Sequence, residues 1–180
     1  MKSDEIILKV CAIGSGNVGK TSLIRRYAEN IFTERYLPTL GVDITTKRIQ
    51  VGEKNVKLIL ADTGGQEHFE RVRPTYYKGA LGSLVVFALN DLKSFEAIPN
   101  WLQEFRSLAN RPVSVVLVGN KKDLKKDRTI SKKDAEAYAK REGLLYFETS
   151  AKEGGMEIPM AYEVLVKDIL SNYEKLAMQV

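Results

Sequence analysis

The amino-acid sequence predicts an α/β fold of three layers, with a six-stranded, mostly parallel sheet, one antiparallel edge strand and about five helices. Three observations predict it. Short β-rich runs alternate with longer segments of helical period. The first run, Ile6–Ile13, is almost continuously apolar, as a strand covered on both faces requires. A glycine-rich turn follows that run and opens directly into a helical segment.

The elements follow in order. After Ile6–Ile13, the segment Lys20–Glu29 places Leu23, Ile24, Tyr27 and Ala28 on one helical face. Thr45–Val51 and Asn55–Ala61 flank Gly52-Glu53-Lys54 and predict a hairpin, the source of the antiparallel strand. Ser83–Ala88 and Val113–Gly119 are two further buried strands. Between them Phe95, Ile98, Leu102, Phe105 and Leu108 recur at helical spacing, with Pro99 suited to a helix start. Ser131 is placed to cap a helix running to Glu142, and Gly143 to end it. Tyr146–Thr149 predicts a short last strand. A final helix carries Ile158, Tyr162, Leu165, Ile169, Tyr173 and Leu176 on a stripe best used for core packing. No repeat or linker interrupts the 180 residues, so one domain spanning 1–180 is expected.

Composition narrows the function classes. Hydrophobic residues at 44% and charged residues at 28% describe an ordinary globular chain. The single cysteine, Cys11, lies in an apolar run, which excludes a disulfide framework and suits a reducing, cytoplasmic setting. The longest apolar stretch, Leu81–Leu89, is too short to span a bilayer. The first residues lack a signal-peptide pattern, and with no cysteine near the end no lipid anchor is encoded. Any contact with a membrane is then expected through partners or a missing tail. The net charge of +5 clusters at Lys121-Lys122, Lys125-Lys126, Arg128 and Lys132-Lys133. No aromatics are interleaved there, so the run reads as a solvated face and no nucleic-acid partner is expected.

The chemistry begins at Gly14-Ser15-Gly16-Asn17-Val18-Gly19-Lys20-Thr21, which matches G-x-x-x-x-G-K-[ST] between a strand and a helix. Glycines let successive backbone N–H groups turn inward toward a phosphate. The following helix presents its unsatisfied N–H groups to the same anion. Lys20 supplies a mobile charge for the β- and γ-phosphates, and Thr21 a hydroxyl for Mg²⁺. The octet by itself does not choose ATP or GTP.

Asp62 ends the run Leu58–Ala61 and is placed to orient Mg²⁺, directly or through water. Gly65, without a Cβ, can bring its N–H close to a γ-phosphate. Asn120-Lys121-Lys122-Asp123 follows the strand Val113–Gly119. The carboxylate of Asp123 can accept from the N–H and NH₂ of a guanine edge, and adenine would leave it unpaired. Asn120 can brace the loop, and the aliphatic stem of Lys121 can cover a base.

Together these segments resemble the Ras superfamily of small GTPases, a branch of the P-loop NTPase fold, over about Leu8 to Leu170. The motifs GSGNVGKT from Gly14, YLPT from Tyr36, DTGGQE from Asp62, NKKD from Asn120 and ETSAK from Glu148 occur in family order. Gly41-Val42-Asp43 and Tyr76-Tyr77-Lys78-Gly79-Ala80 are most similar to the Rab branch. Pro99-Asn100-Trp101 and the lack of a C-terminal cysteine are similar to Ran.

The resemblance implies a monomeric GTPase that binds GTP or GDP with Mg²⁺, hydrolyses GTP and serves as a switch, with vesicle or intracellular trafficking as its setting. Thr39 would give Mg²⁺ a second protein oxygen and Gln66 would position the attacking water. Ser22, Phe32, Tyr36 and Pro38 would line the nucleotide, Phe32 lying edgewise on guanine. Ser150, Ala151 and Lys152 would reach the guanine carbonyl through backbone N–H groups. Switch I would span 32–43 and switch II 64–77, the surfaces for an exchange factor, an activating protein and effectors. The chain departs from the pattern at Ala61, Gly64 and His68, where relatives carry Trp, Ala and Arg, and a looser switch II follows. His68 suits a partner contact better than a general base. Arg35 is a weak candidate for an arginine acting in cis, against a plain surface charge. Intact Gln66 argues against a nucleotide-locked scaffold, and the lack of an arginine-bearing lid argues against a phosphotransferase or ATPase.

Overall fold

The computed structural model describes residues 5–34, 41–63, 73–109 and 112–177. Strand β1 is Ile6–Ile13, followed by helix α1 (Lys20–Glu29), the hairpin β2 (Val42–Val51) and β3 (Lys54–Thr63), and the short helix α2 (Arg73–Tyr77). Then come β4 (Gly82–Ala88), α3 (Leu92–Glu96), α4 (Ile98–Ala109), β5 (Ser114–Asn120), α5 (Lys132–Arg141), β6 (Leu145–Glu148) and α6 (Glu157–Ala177). The sheet order is β2-β3-β1-β4-β5-β6, with β2 antiparallel to β3 and every other pair parallel.

Both faces of the sheet are covered, which explains why its central strands read as unbroken apolar runs. In β1, Leu8, Val10 and Ala12 point into one cluster, with Leu58, Leu60, Leu84 and Val86 of its neighbours. Leu23, Ile24 and Tyr27 of α1 and Ile158, Tyr162 and Leu165 of α6 close that cluster. The alternate residues Cys11 and Ile13 point into a second cluster with Ala61, Val85, Phe87 and Leu117, closed by Tyr77, Ile98, Phe105, Ala135 and Tyr138. Tyr27 and Tyr162 stack at 4.0 Å between ring centroids and fasten α1 to α6.

The hairpin is longer than its hydrophobic pattern suggests. β2 begins at Val42, because ladder pairing to β3 continues through Val42↔Thr63 although its outer residues are polar. The stripe from Phe95 to Leu108 is two helices rather than one. Asp91 caps α3 by accepting from the Ser94 N–H at 3.3 Å, and Ala97 ends it. Pro99 has no N–H to give back to that turn, so a fresh helix starts at Ile98. With α3 and α4 counted as one broken helix, five helices flank the sheet among the described residues. Ser131 does cap α5, accepting from the Asp134 N–H at 3.0 Å, and Gly143 follows its end with φ 66°. In the basic cluster, Lys122 pairs with Glu157, Arg128 with Glu148 and Lys132 with Glu136. No helix among the described residues is long and apolar enough to cross a membrane.

The strand order reverses at β1, whose neighbours are β3 and β4. The crevice beyond the carboxyl ends of these strands is where such sheets bind ligands. The loops after β1, β3, β5 and β6 all leave from that edge.

Candidate functional site

The loop after β1 is shaped by three residues in the left-handed region: Gly14 (φ 139°), Asn17 (φ 60°) and Gly19 (φ 97°). A Cβ on Gly14 would lie 2.1 Å from the Val86 carbonyl oxygen, and one on Gly19 would lie 2.3 Å from Asn120 Nδ2. Only glycine fits either place. Gly19 is also the cap of α1 and brings no side chain to the helix's first N–H groups, which therefore face the loop.

Lys20 folds back over this loop with 6% of its surface exposed. Its Nζ donates to the Gly14 carbonyl at 2.8 Å and the Ser15 carbonyl at 2.7 Å. Burial pushes its pKa down to about 8; the Asp62 charge opposes that and the Arg73 charge adds to it. Thr21 Oγ1 donates to Asp62 Oδ2, bringing a hydroxyl and a carboxylate together beside the loop. Asp62 pairs in register with Ala12, and Thr63 Oγ1 donates to the Ala12 carbonyl at 2.7 Å, so the end of β3 is tied to the end of β1.

At the end of β5, Asn120 is 2% exposed and uses both ends of its amide. Nδ2 donates to the Val18 carbonyl at 2.9 Å. Oδ1 accepts from Thr149 Oγ1 and from the Ala151 N–H, each at 3.2 Å. Lys121 follows in the left-handed region at φ 67°, half-buried, its pKa lowered by burial against the opposing charges of Asp91 and Asp123. Asp123 Oδ1 accepts from Ser150 Oγ at 2.6 Å, and that hydroxyl accepts from the Glu153 N–H at 3.0 Å.

The structure thus brings together Gly14 to Ser22, Asp62, Asn120, Lys121, Asp123, Ser150, Ala151 and Lys152 at one sheet edge. The Ala151 N–H is engaged by Asn120, so a base carbonyl there would share it. Phe32 packs half-buried against the first core cluster, beneath the Arg26 guanidinium at 5.9 Å from its ring centroid. Tyr36, Pro38, Thr39, Gly65 and Gln66 lie outside the described residues, as do Arg35, Gly64 and His68. Ala61 is fully buried beside Tyr77 and Val42, and Ile44 opposite it in register is 56% exposed.

Three residues join the site without a sequence signal. Arg26 donates through Nε to the Ala151 carbonyl and through Nη2 to the Lys152 carbonyl, both at 2.8 Å. Glu34 pairs with Lys152 at 2.8 Å. Trp101 Nε1 donates to Ser15 Oγ at 3.3 Å.

The donor set suits Mg²⁺. Thr21 and Asp62 offer adjacent hard oxygen donors, of the kind this ion takes sparingly while keeping phosphate oxygens and waters. No group of three or more His, Cys, Asp or Glu side chains among the described residues could hold a metal alone.

A mostly parallel sheet with a glycine cradle and a folded-back lysine after its first strand defines a P-loop nucleoside triphosphatase. The model of the Ras family matches residues 9–171, and the chain belongs to that family. It is 38% identical over 169 residues to the Ras-related protein Rab-13 of Bos taurus, covering 94% of this chain and 83% of that one. It is 42% identical over 152 residues to Rab-21 of Dictyostelium discoideum (84% and 72%), and 37% identical over 172 residues to RABA5d of Arabidopsis thaliana (96% and 78%). The chain is a small GTPase of the Rab branch, a GTP hydrolase that works as a molecular switch.

Proposed function

We propose that this chain, as one domain, binds GTP and GDP with Mg²⁺, hydrolyses GTP slowly and changes the conformation of 32–43 and 64–77 to control effector binding in intracellular trafficking. The observation that carries this reading is the Asn120 amide, which joins the phosphate loop at Val18 to the base loop at Thr149 and Ala151. This one buried side chain supports reading the phosphate cradle and the Asp123 carboxylate as parts of one site.

In this reading the N–H groups of 14–19 and the helix start at Lys20, Thr21 and Ser22 bind the phosphates. Lys20 exchanges its two carbonyl partners for phosphate oxygens, and that anion keeps it protonated despite burial. Thr21, Thr39 and Asp62 would hold Mg²⁺, which would supply charge neutralisation at the phosphates. Gln66 orients the water for in-line attack, and the Gly65 N–H contacts the γ-phosphate. Asp123 reads guanine, Lys121 and Phe32 flank the base, and Ser150, Ala151 and Lys152 meet its carbonyl. Tyr36 and Pro38 complete the wall on the switch side. Unaided turnover is on the order of 10⁻⁴–10⁻² s⁻¹, to be raised by an activating protein. The chain acts as a cytoplasmic monomer that reaches membranes through partners or a tail.

Fluorescent GDP displacement and single-turnover hydrolysis test this directly. GTP and GDP should displace the probe and ATP should not, and Gln66→Leu should slow hydrolysis by about tenfold or more with GTP affinity retained. ATP competing as well as GTP would end the guanine assignment; an unchanged rate in Gln66→Leu would end the assignment of that residue.

A further inference from the structure

The single tryptophan of the chain packs against the second core cluster and also reaches past it to the phosphate loop. Trp101 lies half-buried on α4, and its indole N–H donates to Ser15 Oγ in the outer turn of the phosphate loop at 3.3 Å. The Arg73 guanidinium stands over the same indole, 4.8 Å from the ring centroid. Arg73 is itself 6% exposed and is gripped by Glu104, Nε to Oε1 at 2.6 Å and Nη2 to Oε2 at 3.1 Å. Trp101 and Glu104 are three apart on α4 and so share one face.

Each link is stiff for a physical reason. A paired guanidinium fork has a fixed plane, held here by two bonds to one carboxylate. An arginine over an indole face adds a cation–π attraction that orients the ring. The indole has one donor and no acceptor, and it directs that donor to Ser15. Arg73 is the first residue of α2, seven after Gln66.

We propose that Trp101 and Arg73 are positioning residues for hydrolysis, a Glu104–Arg73–Trp101–Ser15 relay that holds the phosphate loop and the start of α2 in one register. This rests on the guanine-nucleotide reading above. The relay touches no substrate. It acts by fixing the start of α2, which follows Gln66 in sequence, against the phosphate loop, and small misplacements of reacting groups are costly in rate. Its removal should therefore change turnover more than nucleotide retention.

Trp101→Phe keeps a ring for Arg73 but deletes the N–H, and Ser15→Ala deletes only the acceptor, a half-buried hydroxyl. Single-turnover GTP hydrolysis should fall about three- to tenfold in each, and the double variant should be no slower than the slower single, since both remove one bond. GDP release from Trp101→Phe should stay within about twofold of wild type. In Ser15→Ala, the emission of Trp101 should shift and lose its response to exchanging GDP for a non-hydrolysable GTP analogue. Unchanged rates in both singles, or losses that multiply in the double, would overturn the relay while wild-type binding and turnover leave the nucleotide reading standing. A wild-type chain that fails to bind fluorescent GDP would overturn both.

Discussion

The side-chain amide of Asn120 donates to the Val18 carbonyl oxygen at 2.9 Å, across 102 residues of sequence. Val18 is fully buried in the phosphate loop, and the other end of the same amide accepts from Thr149 and Ala151 in the base loop. Asn120→Ala would strand two donors and one acceptor where water does not reach, at about 1–3 kcal/mol for each orphaned group. The loops would also lose their common brace. Thermal melts should show a lower midpoint with and without nucleotide, and GDP should dissociate roughly tenfold faster or more. A variant that releases GDP at the wild-type rate would contradict the brace.

Two glycines with positive φ should respond very differently to alanine. Gly14 has the Val86 backbone carbonyl 2.1 Å from where a Cβ would be, whereas Gly52 in the hairpin turn, at φ 59°, has nothing within 4 Å. Gly52→Ala meets conformational strain alone, on the order of 1 kcal/mol. Gly14→Ala must also push strand β4 from β1, at roughly 3 kcal/mol or more. Urea midpoints compare them. Equal shifts would mean that the cradle yields at no cost and that packing against β4 does not shape it.

Asp123 and Ser150 allow a specificity change without loss of the fold. The Ser150 hydroxyl donates to Asp123 Oδ1 at 2.6 Å, and an asparagine carbonyl could accept the same bond. Asp123→Asn should therefore keep the loop but present an amide where, on the proposed reading, guanine would offer donors. Competition against a fluorescent nucleotide should shift in favour of xanthine over guanine by roughly a hundredfold. Retained guanine preference would remove Asp123 from the base-reading role.

What could be read from the sequence was whatever depends on neighbours along the chain. The bounds of β1 and α1 follow from a continuous apolar run, a glycine turn and a helical stripe, all local. Lys20, Thr21 and Asn120 were visible because their spacing to those elements is short. Arg26 and Trp101 were not, since their partners lie 125 and 86 residues away and only the sheet order brings them together. The break at Ala97 was hidden for a different reason. Phe95 and Ile98 continue one apolar stripe across it, so periodicity argued for a single helix while Pro99 alone signalled a new start.

Glu148 should set part of the acid limb of stability. It lies largely buried at the end of β6, where burial alone would raise its pKa. Two hydrogen bonds from Arg128, at 2.9 and 2.5 Å, and one from Tyr146 Oη at 2.9 Å outweigh that and hold it below the usual glutamate range. The folded chain therefore binds fewer protons at this site than the unfolded chain, between the lowered value and the ordinary one near about 4.3. Stability from Glu148 is complete above that ordinary value and is lost as pH falls through the folded one. Melting midpoints taken from pH 7 down to 3 should fall less steeply in Glu148→Gln than in the wild type. At pH 7 the variant should be the less stable of the two, because Arg128 keeps its charge and loses its partner. Other carboxylates titrate in both proteins, so the difference between the two curves isolates this site. Parallel curves across the acid range would show that the Arg128–Glu148 pair contributes nothing that depends on the carboxylate charge.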